Sequence, residues 1–487
     1  MAVTESPALR FGTPAGRWVV LATVLGSGMV SLDATVVNVA LPSLGADLDA
    51  DFAGLQWVVT GYTLTLASLI LVGGSLGDRY GRRRVYSIGV AWFGVASALC
   101  ALAPNLDVLI AARMLQGVGG ALLTPGSLAI LQESFAEEDR ARAIGAWSGF
   151  GGVATAIGPL AGGWLVEAAS WRWIFVLNIP LGLALIVIVA RHVPDTARAR
   201  ATRIDMPGAV LASAGLGALT YGLIERSWLF GALGAIGLLA FVLQERRSTD
   251  PMLPLELFRS RQFSATNLVT FVVYAALGMV LFLVALMLQV SLGFSPIQAG
   301  ASLLPITVVM LLFSARSGAL AQRIGPRLPM TIGPCVVALG LLLMLRINPS
   351  STYMADVLPA ITVFAAGLAL MVAPLTATAL AAAGEHRSGV ASAVNNAVAR
   401  VAGLIGIASL PLVAGLNPAD ALGPSELTHG FHRALLIAAS LCVAGGVLAW
   451  TFIRSDVLRP SQPAPEEPAE FCFHCALDGT PLVAESG

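Results

Sequence analysis

The sequence predicts an all-α polytopic membrane protein, with two six-helix bundles and two extra helices between them. Three observations carry that prediction. Of 487 residues, 56% are hydrophobic and only 11% are charged, whereas soluble domains carry about a quarter charged residues. Apolar runs of about 20 residues, long enough to cross a bilayer as a helix, recur fourteen times along the chain. A short motif also repeats, once after the second span of each six-helix block.

The spans fall near 18–40, 55–75, 85–103, 106–131, 143–166 and 172–191 in the first block. A pair near 207–224 and 228–243 follows, with few polar residues and an expected place at the periphery. The second block spans 264–290, 297–321, 329–346, 357–382, 389–414 and 431–453. Residues 1–17 are then an N-terminal segment, 18–191 the first bundle, 192–262 the linker with its helix pair, and 263–453 the second bundle. The remainder, 454–487, is a Pro- and Glu-rich tail of the composition that stays disordered.

Arginine placement tests the helix count. All 28 basic residues are Arg. With the N-terminus inside, 22 of them fall on the cytoplasmic side, only Arg172, Arg226, Arg346 and Arg433 fall outside, and Arg113 and Arg400 lie within spans. A wrong count would invert half the loops and destroy this asymmetry. Both termini are therefore expected in the cytoplasm. The N-terminus lacks a cleavable signal pattern, so the first span serves as its own insertion signal. The formal net charge is zero, which points away from a nucleic-acid partner and leaves the lipid bilayer as the surrounding medium.

The repeat is GSLGDRYGRRR (74–84) against GALAQRIGPRL (318–328), which share Gly, Leu, Arg, Gly and Arg in register. Two matched six-helix blocks form transporter architecture, in which the halves rock about a central site.

Three stretches carry chemistry. Asp33, in SLDATVVNVALP, lies inside the first span, where a charge costs about 2.5–3.5 kcal/mol and must face the protein interior. Counting inward, it lies about seven residues, roughly 10 Å, from the outer end of its span, and Arg113 lies equally deep in the fourth. Burial favours a neutral carboxyl and a nearby guanidinium favours a charged one, so a carboxyl held between them can bind and release a proton. A static ion pair holding helices together is the other reading. In the repeat, Gly74 and Gly81 permit close packing and a sharp turn, and the Arg cluster meets the inner membrane surface. Orientation by positive charge explains the arginines, but less well Asp78 and the glycines. In AWSGFGGVATAIGPLAGGWL (146–165), Pro159 kinks the span and the glycines allow close helix approach.

LDATVVNVALP, GSLGDRYGRRR, ARMLQGVGGALLTP and AIGPLAGGW, occurring in this order, resemble the major facilitator superfamily. The fourteen spans, with LQWVVTGYTLTLA and WRWIFVLNIP, make the chain most similar to its drug:proton antiporter branch. The resemblance implies a proton-coupling pair in Asp33 and Arg113. It implies an inner-gate motif containing Gly74, Asp78, Arg79, Gly81 and Arg82, and an antiporter motif in Gly145, Gly158, Pro159, Gly162 and Gly163. Ala154 stands where that last motif has its middle glycine, and Gln322 replaces Asp78 in the second copy of the gate motif, where latching is expected to be weaker. The implied activity is proton-driven export of amphipathic drugs or antibiotics by alternating access, from a bacterial cytoplasmic membrane, by a monomer. Asp33 is the single deep acid, which predicts one proton per turnover.

The same frame places candidate cavity residues: Asn38, Gln56, Trp57, Tyr62 and Gln116 in the first half, and Asn267, Tyr274, Phe282, Phe364, Met371, Asn395 and Arg400 in the second. Aromatic and methionine side chains suit bulky apolar molecules, although such residues also serve simply as packing. Arg400, near the middle of its span, could meet an anionic substrate group or pair with a neighbour. No nucleophile–base pair or metal cluster occurs in the spans, so no enzyme chemistry and no cofactor beyond the coupling proton is expected. Cys472 and Cys475 form a lone CxxC, half of a zinc site without a second pair. The competing readings are a dedicated exporter of one metabolite and a non-transporting membrane sensor on the same scaffold.

Overall fold

A computed structural model of the chain describes residues 9–194, 205–383, 388–417 and 423–458. The described regular structure is helical, and thirteen of the helices are long and apolar enough to cross a membrane. In the first half these are α1 (Pro14–Asp47), α2 (Phe52–Tyr80), α3 (Arg82–Ala101), α4 (Leu106–Ser134) and α6 (Trp173–His192). Between α4 and α6 lies α5 (Glu137–Ala168), 32 residues long, whose charged start and many glycines dilute its apolar character. The extra pair is α7 (Met206–Ile224) and α8 (Trp228–Arg247). The second half holds α9 (Arg261–Ser291), α10 (Pro296–Ile324), α11 (Arg327–Arg346), α12 (Tyr353–Ala381), α13 (Ser388–Ala408) and α14 (Pro424–Phe452). The tail pair Cys472 and Cys475 lies outside the described residues.

Helices run past the apolar spans because their polar ends stay helical once capped. Asp51 accepts from Gly54 N at 2.8 Å to start α2, Asn105 accepts from Val108 N at 3.0 Å to start α4, and Ser295 with Gln298 forms a capping box at α10. The two gate-motif copies turn alike: Gly81 (φ 97°) separates α2 from α3 and Gly325 (φ 89°) separates α10 from α11. Both angles lie in the region that favours glycine, so the repeat seen in sequence is a repeat of backbone.

Large apolar side chains on the outer faces are exposed, including Trp92, Leu183, Ile236, Leu311 and Trp450. In water such a surface is untenable, whereas hydrocarbon solvates it. Inside, one continuous apolar core joins the halves: Val36, Leu44, Phe52 and Val58 of the first pack with Val280, Phe282, Phe364 and Met371 of the second. These residues of α1 and α2 lie toward the end of the bundle opposite the N-terminus, here called the far end. Near the N-terminal end each half keeps its own core, around Tyr86, Phe93 and Leu131 in the first and around Phe263 and Val394 in the second.

Among the described residues, every hydrogen bond between the two halves lies at the far end. Gln56 Nε2 donates to Ile407 O at 2.5 Å, Gln289 Nε2 to Val39 O at 2.9 Å, and Ser295 Oγ to Glu167 at 2.8 Å. The halves are thus joined at the far end by hydrogen bonds and a shared apolar core, while their cores are separate near the N-terminal end.

The helix pair packs on the side of the two bundles, with α7 against them and α8 outermost, its buried residues being Gly234 and Glu245. Leu216 of α7 packs with Leu64 of α2 and Leu404 of α13, Trp57 Nε1 donates to Glu225 at 3.0 Å, and Arg226 reaches the carbonyls of Pro411 and Leu416.

A buried ion pair inside the first half

Asp33 and Arg113 meet. Arg113 Nη1 lies 2.5 Å from Asp33 Oδ2, with the two side chains 1% exposed apiece. The pairing is the one expected from the apolar spans, although α1 runs on past its span to Asp47, so that Asp33 lies farther from the far end of its helix than Arg113 does from Leu106.

The pair sits in a polar knot built by five helices. Gln116 of α4 donates to Asp33 Oδ1 at 2.8 Å and to Ser97 of α3 at 2.9 Å, while accepting from Arg113 at 2.6 Å. Asn178 of α6 donates to the same Asp33 oxygen at 3.0 Å. Arg113 Nε donates to Val58 O of α2 at 3.1 Å, and the guanidinium lies over the Tyr62 ring at 4.4 Å. Both carboxylate oxygens of Asp33 therefore accept donors, and Arg113 gains a cation–π face. That is what a buried charge requires to be tolerated. Tyr62, buried and bonded to Val30 O at 3.4 Å, closes the knot on the α2 side.

Asn178 was not singled out by sequence, although it lies in the quoted stretch WRWIFVLNIP. The signal was available, since a buried amide inside an apolar span needs a partner in the interior. Ser97 was missed for a better reason, because a serine can satisfy itself on its own helix, as it also does on Phe93 O at 2.8 Å.

The antiporter-motif residues connect this knot to the other half. A side chain on Gly158 would collide with Thr35 of α1, and one on Gly162 would stand 2.8 Å from Val36. On another face, Gly163 lies against Pro296 and Ile297 of α10, and Gly300 of α10 lies against Pro159 O. Gly145 has open space around it, and its role is not apparent from packing. At the gate motif, Arg82 pairs with Asp78 at 3.0 Å and with Glu133 of α4 at 3.1 Å, tying α2, α3 and α4 together. Gly74 packs on Pro125, and Arg79 is exposed with its guanidinium 5.3 Å from the Tyr80 ring.

The cavity candidates separate into groups. Gln116 and Tyr62 belong to the ion-pair knot, Gln56 to the far-end seam, and Trp57 to the α7 contact. Phe282, Phe364 and Met371 are buried in the shared apolar core. Asn267 and Asn395 bond to each other at 3.1 Å, joining α9 to α13. Asn38, Tyr274 and Arg400 keep partial exposure. Burial had no sequence signature separating these groups, because all but Arg400 are aromatic, sulfur-bearing or amide side chains in apolar runs.

Two further carboxylates are buried, Asp205 and Glu245, near the N-terminal end of the α7–α8 pair. Asp205 caps α7 by accepting from Gly208 N at 2.8 Å, and Glu245 accepts from Leu253 N at 2.9 Å.

A bundle of membrane-spanning helices in two related halves that meet across one seam, with an ion pair sealed in one, defines a transporter scaffold. Residues 23–407 match the Major Facilitator Superfamily, and the chain belongs to it. It is 35% identical to the puromycin resistance protein pur8 of Streptomyces alboniger, over 93% of this chain and 94% of that one. It is 37% identical to the multidrug resistance protein Stp of Mycobacterium tuberculosis (80% and 74% covered), and 36% to the tetracenomycin C resistance and export protein of Streptomyces glaucescens (82% and 76%). In fold it is similar to a D-xylose-proton symporter, with a TM-score of 0.66 at 16% identity, covering 90% of this chain and 98% of that one. A peptide transporter gives 0.67 at 14% identity, with 90% and 94% covered.

Proposed function

We propose that this protein exports amphipathic drugs or antibiotics across the bacterial cytoplasmic membrane in exchange for protons, with both termini in the cytoplasm. The observation that carries the reading is the Asp33–Arg113 pair, sealed within one half and joined through tightly packed glycines to the seam with the other. Relatives named for antibiotic resistance and export support the direction of transport.

With the N-terminus inside, the far-end closure is an inward-facing state. Asp33 is then the deprotonated carboxylate that has returned its proton to the cytoplasm, held by Arg113, Gln116 and Asn178. Once the far end has opened, taking up a proton from outside cancels its charge and weakens its hold on α4 and α6. The resulting shift of α1 is felt at Gly158 and Gly162, which leave α5 no slack against Thr35 and Val36. Helix α5 in turn bears on α10 through Pro159 and Gly163, so protonation biases how the halves meet. One chain supplies both halves and the seam, which supports action as a monomer.

The test is uptake of a fluorescent drug into inverted vesicles under an imposed pH gradient. Wild type accumulates the drug and Asp33→Asn does not; unchanged gradient-driven uptake by Asp33→Asn overturns the coupling role. A second reading, export of one dedicated natural product, is favoured by relatives named for single compounds. Competition by chemically unrelated drugs separates the two.

A further inference from the structure

Arg400 is a guanidinium at membrane depth whose surroundings do not account for its charge. Its hydrogen-bond partner is Asn396, one turn nearer the N-terminal end of the same helix, with Nε to Oδ1 at 2.9 Å. No carboxylate pairs with Arg400 among the described residues. The Asp33 carboxylate is committed to Arg113, Gln116 and Asn178, while Glu133 pairs with Arg82 and Glu225 with Trp57. Arg113 shows the contrast, since it carries an equal charge and is saturated by a carboxylate, an amide, a backbone carbonyl and a ring.

The direction of Arg400 follows from the packing of α13. Val401 and Leu404 face α2 and α7, while Asn395 and Gly403 face α9. At about 100° per residue, position 400 falls between those two faces. Asn396 is exposed and Arg400 partly so. The Asn395–Thr270 bond, 3.0 Å, sets the register of α9 against α13 and brings Tyr274 to about the depth of Arg400.

We propose that Arg400, with Asn396 beside it, is the recognition point for an anionic group on the exported molecule, so that amphipathic anions are the preferred substrate class. The proposal rests on the export reading above and adds the charge of the cargo. A guanidinium that is partly desolvated and lacks a carboxylate partner gains most from a sulfonate or carboxylate that presents two acceptor oxygens. The aromatic body of the same molecule lies against apolar walls. Cationic molecules meet like charge at this depth.

The experiment uses the full-length protein in phosphatidylcholine vesicles of inverted orientation, with two permanently charged probes that share one aromatic body, a pyrene sulfonate and a pyrene trimethylammonium. Their charges do not change with the imposed pH gradient. Wild type is expected to take up the sulfonate about tenfold faster than the cation, as one charge-assisted hydrogen-bond set would give. Arg400→Gln should lower sulfonate uptake about tenfold and leave the cation within twofold, and Arg400→Lys should keep most of the preference. Equal loss of both probes in Arg400→Gln, or no preference in wild type, overturns the assignment while gradient-driven movement of the cation leaves the export reading intact. Movement of neither probe overturns both readings. Preference lost only when phosphatidylglycerol is added assigns Arg400 to a lipid headgroup and overturns the substrate role. The wild-type comparison needs no variant, so a misfolded Arg400→Gln leaves the test standing.

Discussion

Gly158 of α5 lies so close to Thr35 of α1 that no side chain fits between them, two residues along from Asp33. One turn on, Gly162 stands in the same relation to Val36, where a Cβ would come within 2.8 Å. Overpacking a tight contact costs about 1–3 kcal/mol. Gly158→Ala and Gly162→Ala should therefore each lower the thermal midpoint in detergent and slow gradient-driven uptake several-fold. Gly145→Ala, with nothing within 4 Å of the added carbon, should change neither. Equal effects at all three positions would show that glycine content, rather than these contacts, matters.

The ion pair makes a thermodynamic prediction apart from transport. Removing either Asp33 or Arg113 strands a charge that is about 1% exposed, at a cost of about 3–5 kcal/mol. Replacing both, as Asp33→Leu with Arg113→Met, removes the stranded charge and should recover more than half of that loss. A denaturant titration of the four proteins in detergent reads the coupling directly. Additive losses would mean that the two side chains do not depend on one another.

Much of this site was legible from residues alone, and the part that was not has a physical cause. A charge in an apolar run must find a partner, so Asp33 and Arg113 were identifiable by depth on separate helices. The repeat was identifiable because Gly81 and Gly325 both adopt a conformation that favours glycine. The placing of Phe364 and Met371 in the core, and of α7 against both α2 and α13, was not legible. In a membrane protein the lipid-facing and protein-facing sides of a helix are equally apolar, so hydropathy does not tell them apart.

The far-end seam should be adjustable. Gln56 and Gln289 each donate one hydrogen bond across it, to Ile407 O and Val39 O. A typical bond contributes about 0.5–1.5 kcal/mol net. Losing one should shift the balance toward the far-open state by roughly two- to tenfold, and Gln56→Leu with Gln289→Leu should shift it further. Spin labels at Ala46 and Leu292, both toward the far end, would report longer distances in the variants. An unchanged distribution would place the closing energy in the apolar core around Phe52 and Phe282 instead.

The last prediction concerns stoichiometry. With Asp33 as the sole coupling acid, one proton crosses per drug molecule. For n protons exchanged against a neutral drug at zero membrane potential, flux reverses when the drug gradient in decades equals n times the pH difference. A plot of reversal gradient against pH difference should therefore have a slope of one. Asp33→Asn should abolish the reversal altogether, because drug and proton no longer share a step. A slope of two demands a second titrating group. Among the described residues the other buried carboxylates are Asp205 and Glu245, at 7% and 3% exposure. Both are bound to backbone N–H groups at the ends of the extra helix pair, far in sequence from the Asp33 knot. Substituting Asp205 by Asn and Glu245 by Gln should leave the slope at one, and a fall from two to one in either variant would move the second proton to that pair.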